Sequence, residues 1–313
     1  MSQDYEETLA KMQGPASLDA GSAADYIALM KPRVMSLVVF TALVGMIMAP
    51  GGFGENGLHP VLAIAALALI SVGAGASAAL NMWYDADIDA IMSRTQNRPI
   101  PSGRVSKASA LVFGLWVSGL AVMGMAVMIN YLSAALLVFT IFFYAVIYTM
   151  FLKRATAQNI VIGGAAGALP PVIGWAAAAN SLSVEPLIYF AIIFFWTPPH
   201  FWALALIKND DYKAAKVPML PVTSGVKATL RQIVGYSIVL LGVTLLPYTM
   251  GFSGLFYAAG ASILGLIFVG MCVLLAFSKA DQRNRIAGMT FVYSIFYLFL
   301  LFVLLPADKL VGA

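Results

Sequence analysis

Residues 60–91 read PVLAIAALALISVGAGASAALNMWYDADIDAI. Residues 60–80 of this stretch carry no charged side chain, and a helix of about 20 apolar residues is long enough to cross a bilayer. Residues 81–91 then place one asparagine and three aspartates directly at the end of that apolar run. The stretch predicts a transmembrane helix whose end holds a polar site.

The composition of the whole chain agrees with a membrane protein. Of its 313 residues, 61% are hydrophobic and 10% are charged, with a mean hydropathy of +0.89. Soluble domains carry about 25% charged residues, so a water-soluble fold is excluded. The net charge of +4 then indicates basic loops on one membrane face and not a nucleic-acid partner. The single cysteine, Cys272, excludes an intrachain disulfide framework.

Nine apolar runs predict an all-α, polytopic bundle of nine transmembrane helices, because a lipid-exposed backbone must satisfy its own hydrogen bonds. The runs cover residues 34–49, 60–80, 108–129, 132–151, 160–179, 187–207, 233–250, 252–277 and 286–305. The first run is short. We therefore expect its helix to begin near Tyr26 and to include Lys31 and Arg33.

The amino-terminal residues 1–24 have a different composition. They carry four acidic residues and only one basic residue, Lys11, which fits neither a secretory signal nor a transit peptide. We expect residues 1–24 to form a disordered tail and residues 25–313 to form a single transmembrane domain.

The basic residues indicate the orientation of the bundle. All 18 lysines and arginines except Lys309 precede the first span or follow an even-numbered span. Positively charged loops stay on the cytoplasmic side. We therefore expect a bacterial inner-membrane protein with a cytoplasmic amino terminus, two long cytoplasmic loops at about 82–107 and 208–232, and a periplasmic carboxyl terminus.

The two long loops also suggest an internal repeat. A shift of about 122 residues aligns Asp89 with Asp211, Arg94 with Lys216, Pro99 with Pro221, Ser102 with Ser224, and Gly103 with Gly225. Internal repeats that face a shared site are common in membrane proteins. Proline and glycine also recur by chance in loops, so a chance match is the alternative.

The acidic helix end has the chemistry of a metal site. Asn81, Asp85 and Asp89 are four residues apart and therefore share one helical face, whereas Asp87 lies nearly opposite and is expected to be solvated. Neighbouring carboxylates need a positive partner. Mg²⁺ is one candidate, because it takes one or two carboxylates together with phosphate oxygens. The other reading is a surface patch neutralised by Arg94 and Arg98.

The sequence NMWYDADID resembles the N-x-x-x-D-x-x-x-D motif of the UbiA superfamily of intramembrane prenyltransferases. Further segments resemble the haem-farnesylating branch of that superfamily. They are LMKPRV (29–34), DADIDAIMSRTQNRPIPSGRVS (85–106), YTMFLKRATAQNIVIGGAAGALPPVIGW (148–175) and FFWTPPHFWALALIKNDDYKAAKVPMLPV (194–222).

The resemblance implies a helical bundle around a central cavity and a reaction in which farnesyl diphosphate, protohaem IX and water give haem O and diphosphate. It implies Mg²⁺ as the cofactor, held by Asn81, Asp85, Asp89 and Asp211. The residues expected to bind the diphosphate are Arg94, Arg98, Lys153, Arg154, Lys208, Tyr212, Lys216 and Lys31. Proteins that assemble terminal oxidases are the expected partners, and no nucleic acid is expected.

One departure concerns the second motif. The superfamily commonly has two aspartates four residues apart there, but Asp211 is followed by Ala215. A symmetrical second metal is therefore not expected, and Lys208, Tyr212 and Lys216 become candidates for direct contact with phosphate.

Other candidate residues have open alternatives. His200 and Trp202 are candidate haem contacts, or they pack and hydrogen-bond inside the bundle. Tyr144 and Tyr148, one turn apart, are candidates for stabilising a cation with their aromatic faces, or they belong to the core. Asn159 either caps the fifth span or binds phosphate.

Two other functions compete with haem farnesylation. A prenyltransferase of this kind can act instead on a quinone precursor or on another tetrapyrrole. A cation-coupled transporter also places carboxylates within the membrane, although it has no need for a ring of lysine and arginine on one face.

Overall fold

The computed structural model describes residues 21–53 and 57–312, and these residues are almost entirely helical. Within these ranges the only β-type pairing is an isolated bridge between Phe53 and Leu58. Most of the predicted disordered tail, residues 1–20, lies outside the described residues. Ala23 and Ala24, the last residues of that predicted tail, are already helical.

The helices in the described ranges are, in chain order, α1 (Ala23–Leu29), α2 (Pro32–Met48), α3 (Pro60–Tyr84), α4 (Ala86–Ile91), α5 (Lys107–Met128), α6 (Tyr131–Ala155), α7 (Asn159–Ala179), α8 (Val184–Ile207), α9 (Asn209–Ala214), α10 (Leu220–Thr223), α11 (Gly225–Thr249), α12 (Leu255–Ala276) and α13 (Ala280–Val311). Eight of these helices are long and apolar enough to span a membrane. The pair α1 and α2 passes as a ninth span that is bent by 54°. The predicted all-α bundle is confirmed.

The first span differs from the prediction at Lys31. The helix begins at Ala23, but it breaks at Lys31, which has a left-handed φ of 52° and precedes Pro32 at the start of α2. The prediction that Lys31 lies inside a continuous helix is therefore wrong. The physical reason is that proline disfavours the helical conformation in the residue before it. Arg33 does lie within α2, where it is exposed.

Large exposed apolar side chains cover the outside of the bundle. On α5, for example, Leu115, Trp116 and Val127 are all well exposed. A soluble monomer rarely shows so many of them together, whereas a bilayer provides the apolar surroundings they need. The chain is therefore a multi-pass membrane protein.

Close helix packing depends on small residues. A Cβ atom on Gly45 of α2 would overlap the carbonyl oxygen of Pro171 in α7, and one on Gly174 would overlap the carbonyl oxygen of Ala42. Small residues at such crossings let two backbones approach closely in a membrane. The buried apolar side chains form two large clusters, and α7 contributes residues to both of them.

The two short helices α4 and α9 occupy equivalent places in the chain. Each has six residues, follows a long span (α3 or α8) and precedes a loop that ends near a glycine. Those glycines, Gly103 and Gly225, have left-handed φ values of 76° and 78°. Ile88 and Met92, in and directly after α4, share a buried apolar cluster with Tyr212 of α9, so the two segments lie side by side.

Candidate active site

The predicted acidic face is present where α3 meets α4. The helical hydrogen bonds continue across the junction, from Asp85 N–H to Asn81 O at 2.9 Å and from Asp89 N–H to Asp85 O at 2.8 Å. This continuity stacks the three side chains, as their spacing predicts. All three residues are buried, and Asp85 has no exposed surface. The carboxylates are therefore not a surface patch, although Arg98 does pair with Asp89 as that reading expected.

Each member of the acidic face has its own basic partner. Lys153 at the end of α6 donates to Oδ2 of Asp85. Arg98 Nη1 lies 2.6 Å from Oδ2 of Asp89. Lys31 Nζ donates to Oδ1 of Asn81 at 3.0 Å. We call Asn81, Asp85, Asp89 and these three cations the charged cluster. Its ion pairs supply the positive charge that buried carboxylates require.

The amide of Asn81 is held in one orientation. Its Nδ2 donates to Asp85 Oδ2 at 2.6 Å and to Thr149 Oγ1 at 3.2 Å, while its Oδ1 accepts from Lys31. A flipped amide would place two acceptors against each other. Sequence reasoning missed Thr149, because its contact with Asn81 crosses from α6 to α3.

A π-helical segment brings Thr149 to this position. Residues Phe143–Leu152 of α6 form a π-helix, and Thr149 Oγ1 donates to the carbonyl of Tyr144 five residues earlier, at 2.8 Å. Such wider turns are rare in proteins, and those that occur are often found at functional sites. The segment also carries Tyr148, against which a Cβ on Gly163 of α7 would clash. The Tyr144 and Tyr148 rings lie 5.4 Å apart.

Arg154 hydrogen-bonds to Asp87, whereas its neighbour Lys153 hydrogen-bonds to Asp85. The Arg154 guanidinium forms a two-pronged pair with Asp87 at 2.8 and 2.7 Å, and lies 5.0 Å from the ring centre of Tyr84. Burial alone would raise the pKa of Asp87, but the hydrogen bond and charge of Arg154 outweigh it and hold that pKa below its usual value. The Asp87 side chain is 42% exposed, so it is solvated as predicted and also paired.

Two buried oxygens near Lys153 lack a hydrogen-bond partner among the described residues. They are Oδ1 of Asp85 and Oδ1 of Asn159. The Asn159 amide donates to the Lys153 carbonyl at 3.3 Å, so its oxygen points elsewhere. The expectation that Asn159 caps the fifth span is wrong, because Gln158 is the cap residue and Asn159 is the first residue of α7.

The charged cluster fits a hard divalent cation. Oδ1 of Asp85 accepts no hydrogen bond from the described residues in this buried site, and Arg154 Nη2 lies 3.7 Å from it, so this oxygen can still accept a ligand. No group of three histidine, cysteine or acidic side chains that would enclose a metal occurs in the described ranges. A site of two carboxylates and one amide suits Mg²⁺, which takes its remaining ligands from water or phosphate.

The second motif lies on α9. Both carboxylate oxygens of Asp211 are within hydrogen-bond distance of Ser93 Oγ, at 3.1 and 2.8 Å. This contact links the two long loops, and Ser93 was not anticipated from the sequence. None of the hydrogen bonds of Asp211 reaches the charged cluster. Lys208 and Lys216 have no side-chain hydrogen bond or ion pair within the described ranges, and Lys216 is exposed.

Tyr212 is the buried residue of this second motif. Burial raises the pKa of its phenol, and the neighbouring Arg94 guanidinium opposes that rise. Arg94 itself is exposed. The motif therefore presents cations without a carboxylate partner in the described ranges, together with a neutral phenol, at the edge of the site.

The two candidate haem contacts lie elsewhere in α8. His200 is buried between α8 and α13, where its Nδ1 is 2.6 Å from Ser294 Oγ. Trp202 is fully buried and packs edge-on against Tyr236 of α11, with ring centres 5.4 Å apart. Neither residue belongs to the charged cluster. A ligand that contacts His200 or Trp202 together with the charged cluster would have to span the distance between them.

Comparison with known proteins identifies a family and a close relative. A family model described as the UbiA prenyltransferase family matches residues 38–305. A curated protein of Parvibaculum lavamentivorans, named protoheme IX farnesyltransferase, is 58% identical over 293 residues, which cover 93% of this chain and 91% of that protein.

Two solved structures share the fold. One belongs to work on digeranylgeranylglyceryl phosphate synthase, with a TM-score of 0.73 and 16% identity over 90% of this chain and 98% of that one. The other is a UbiA homolog from Archaeoglobus fulgidus bound to DMAPP and Mg²⁺, with a TM-score of 0.65 and 15% identity over 90% of this chain and 99% of that one.

Proposed function

Because the chain belongs to the UbiA prenyltransferase family, we propose that it transfers the farnesyl group of farnesyl diphosphate to a vinyl group of protohaem IX. Water adds in the same reaction, and the products are haem O and diphosphate. The 58% identical relative named protoheme IX farnesyltransferase supports this substrate pair. The observation that carries the chemistry is the buried acidic face, paired with lysine and arginine at one end of the bundle.

Asn81, Asp85 and Asp89 are the residues that would hold Mg²⁺. The buried oxygen of Asp85 that accepts no hydrogen bond within the described part of the chain supports this assignment, as does the stacking of the three side chains on one helical face. When bound, the metal supplies Lewis-acid charge that stabilises diphosphate as a leaving group. Asp211, held by Ser93 on the second motif, would contribute from the opposite loop.

Lys153, Arg98 and Lys31 would bind the diphosphate. Each already donates to the acidic face, so its charged end lies at the place where the leaving group develops charge. Preorganised cations of this kind stabilise a leaving group most strongly where water is scarce. Arg154 stays with Asp87 and acts at longer range.

The remaining candidates lie around the second motif. Arg94, Lys208, Tyr212 and Lys216 would reach the diphosphate from the loops around α4 and α9. Lys208 and Lys216 have no partner within the described ranges that competes for their ammonium groups.

The bundle interior would protect the reactive farnesyl cation. Ionisation of an allylic diphosphate leaves a carbocation that water destroys, and packed helices exclude bulk water. Tyr144 and Tyr148 would face this cation with their rings. The vinyl group of haem is a weak nucleophile, so its placement beside the cation contributes much of the rate.

The orientation of the protein remains part of the proposal. The basic loops support an inner-membrane protein with the charged cluster at the cytoplasmic face, the amino terminus on the same side and the carboxyl terminus in the periplasm. Interaction with terminal-oxidase assembly proteins is likewise proposed. The matching positions of α4 and α9, and the similar φ values of Gly103 and Gly225, support the repeat of about 122 residues.

Turnover by the purified protein tests the proposed function. Farnesyl diphosphate and Mg²⁺ are supplied with either protohaem IX or 4-hydroxybenzoate, and products are identified by mass spectrometry. We expect haem O, with one diphosphate released for each haem consumed. Prenylation of the benzoate alone would favour the alternative acceptor, a quinone precursor. Membership of a prenyltransferase family already argues against a cation-coupled transporter.

A further inference from the structure

The hydrogen bonds around His200 determine which ring nitrogen carries its proton. Ser294 Oγ lies 2.6 Å from the Phe291 carbonyl oxygen and 2.6 Å from His200 Nδ1. The hydroxyl has one hydrogen, and the carbonyl has none. The hydroxyl therefore donates to the carbonyl, and Nδ1–H of His200 donates to the hydroxyl oxygen. Both contacts are satisfied only in this arrangement.

The other ring nitrogen is consequently a free base. With the proton on Nδ1, Nε2 of the neutral imidazole carries a lone pair. Nε2 has no hydrogen-bond partner among the described residues, and no carboxylate pairs with this histidine there. A lone pair in this state is what a metal ion takes from histidine. In metal sites the other nitrogen typically donates to a protein group, as Nδ1 does here.

The packing holds the imidazole plane rigid. Trp196 stacks on one side, with ring centres 4.2 Å apart and planes 20° from parallel, and Phe291 also stacks on the ring, at 4.5 Å and 23°. Trp196 is itself fixed, because its Nε1 donates to the backbone carbonyl of Ser294 at 2.8 Å. The ring therefore has one orientation, and Nε2 lies at its unpaired edge.

The helix geometry places His200 on the side of α8 that faces α13. Thr197 of α8 packs against Gly164 of α7, while Phe195 and Trp202 pack toward Tyr236 of α11. Phe201, between these two directions, is the exposed position and so faces lipid. At 100° per residue, His200 lies a quarter-turn or so around α8 from Phe201, on the side toward α13, and the two rings meet edge-on with centres 5.0 Å apart.

We propose that Nε2 of His200 is an axial ligand of the iron of protohaem IX, and that Ser294 is the positioning residue that fixes its tautomer. This inference rests on the proposed function, because it assigns a contact to the proposed acceptor substrate. A histidine ligand is a common protein ligand of haem iron. It would hold the porphyrin by its metal centre and leave the vinyl groups at the ring edge free to meet the farnesyl cation.

Porphyrin binding without farnesyl diphosphate provides the test. Haem and metal-free protoporphyrin IX are titrated separately into purified protein in nanodiscs, and absorbance spectra are recorded. We expect wild-type protein to give the spectrum of histidine-ligated haem. His200→Ala is expected to lose that spectrum while binding protoporphyrin IX as before, and added imidazole is expected to restore it. His59→Ala, which changes the only other histidine, is the matched control and is expected to behave as wild type.

The positioning role of Ser294 has its own readout. Ser294→Ala is expected to weaken haem binding about 10- to 100-fold, the usual effect of removing such a hydrogen-bond partner, without changing protoporphyrin IX binding. An unchanged haem spectrum in His200→Ala would overturn the ligand assignment, and so would an equal loss of both porphyrins. Unchanged haem affinity in Ser294→Ala would overturn the role of Ser294.

The two proposals can fail independently. A wild-type protein that binds haem through His200 but forms no haem O would refute the proposed function alone. Formation of haem O by a His200→Ala variant with an unchanged haem spectrum would refute the ligand assignment alone. Binding of farnesyl diphosphate by each variant, measured by calorimetry, shows that the bundle has folded.

Discussion

Replacing Lys153 with alanine is expected to weaken binding of farnesyl diphosphate much more than binding of haem. The Lys153 amine donates to Asp85 at the centre of the charged cluster, and its side chain is only 18% exposed. A hydrogen bond that involves a charged group contributes about 1.5–3 kcal/mol. At 1.4 kcal/mol for each tenfold change, the dissociation constant for farnesyl diphosphate should rise about 10- to 150-fold.

The same change should also lower stability. Asp85 has no exposed surface, and the loss of one partner from a buried ion pair costs about 3–5 kcal/mol. The cost here should fall below that range, because Asn81 still donates to Asp85 at 2.6 Å and Arg154 lies 3.7 Å from its other oxygen. A decrease in the melting temperature, measured in detergent without ligand, would show this effect.

The assay for the Lys153 variant compares two ligands. Calorimetry with a non-ionising thio analogue of farnesyl diphosphate gives one dissociation constant, and a haem titration followed by absorbance gives the other. Lys153→Arg keeps the charge and should retain most of the affinity. Lys227→Ala removes an exposed lysine that is outside the charged cluster and should change neither constant. Equal weakening of both ligands, or no weakening of the diphosphate analogue, would refute the assignment of Lys153.

Three further predictions concern the metal and the packing. Asp85→Ala and Asp89→Ala should each abolish turnover in protein that still inserts into the membrane; Mg²⁺-dependent activity in both variants would remove the metal assignment. Chelation of divalent cations should stop turnover by the wild type and added Mg²⁺ should restore it, whereas activity that survives complete chelation would argue against a metal. Gly45→Ala should lower stability by about 1–3 kcal/mol or more, because the new Cβ overlaps the Pro171 carbonyl. Gly242→Ala, which meets open space, is the control for thermal unfolding, and equal melting temperatures for the two variants would contradict the packing argument.

The arrangement of spans follows from the sequence because lipid allows few alternatives. Long apolar runs must form helices, so the runs alone predict the spans that the structure contains. The break at Lys31 was missed although LMKPRV carries its signal, a residue directly before proline. The Lys31 amine donates to Asn81 from this break. The wrong prediction of a continuous helix therefore affects a residue of the charged cluster.

The acidic face was predictable because its spacing matches the helical repeat. Asn81, Asp85 and Asp89 require only that the helix continue past the apolar run, and it does. Their partners were less predictable. The pairing of Arg154 with Asp87 and that of Ser93 with Asp211 join segments 67 and 118 residues apart, and local pattern carries no information about such distances.

The π-helical segment had no signal in the sequence. Residues Phe143–Leu152 are apolar and aromatic, as in an ordinary span, yet the wider turn brings Thr149 to Asn81. His200 is an intermediate case. Its presence in an apolar span was visible, but the tautomer depends on Ser294, 94 residues later, and could be deduced only from the packed structure.

A structure determined with Mg²⁺ and a thio analogue of farnesyl diphosphate would show whether the acidic face holds the metal. We expect a metal ion about 2.1 Å from carboxylate oxygens of Asp85 and Asp89, with the diphosphate beside Lys153 and Arg98. Diphosphate density at another place, with the ion pairs of Asp85 and Asp89 unchanged, would contradict this expectation.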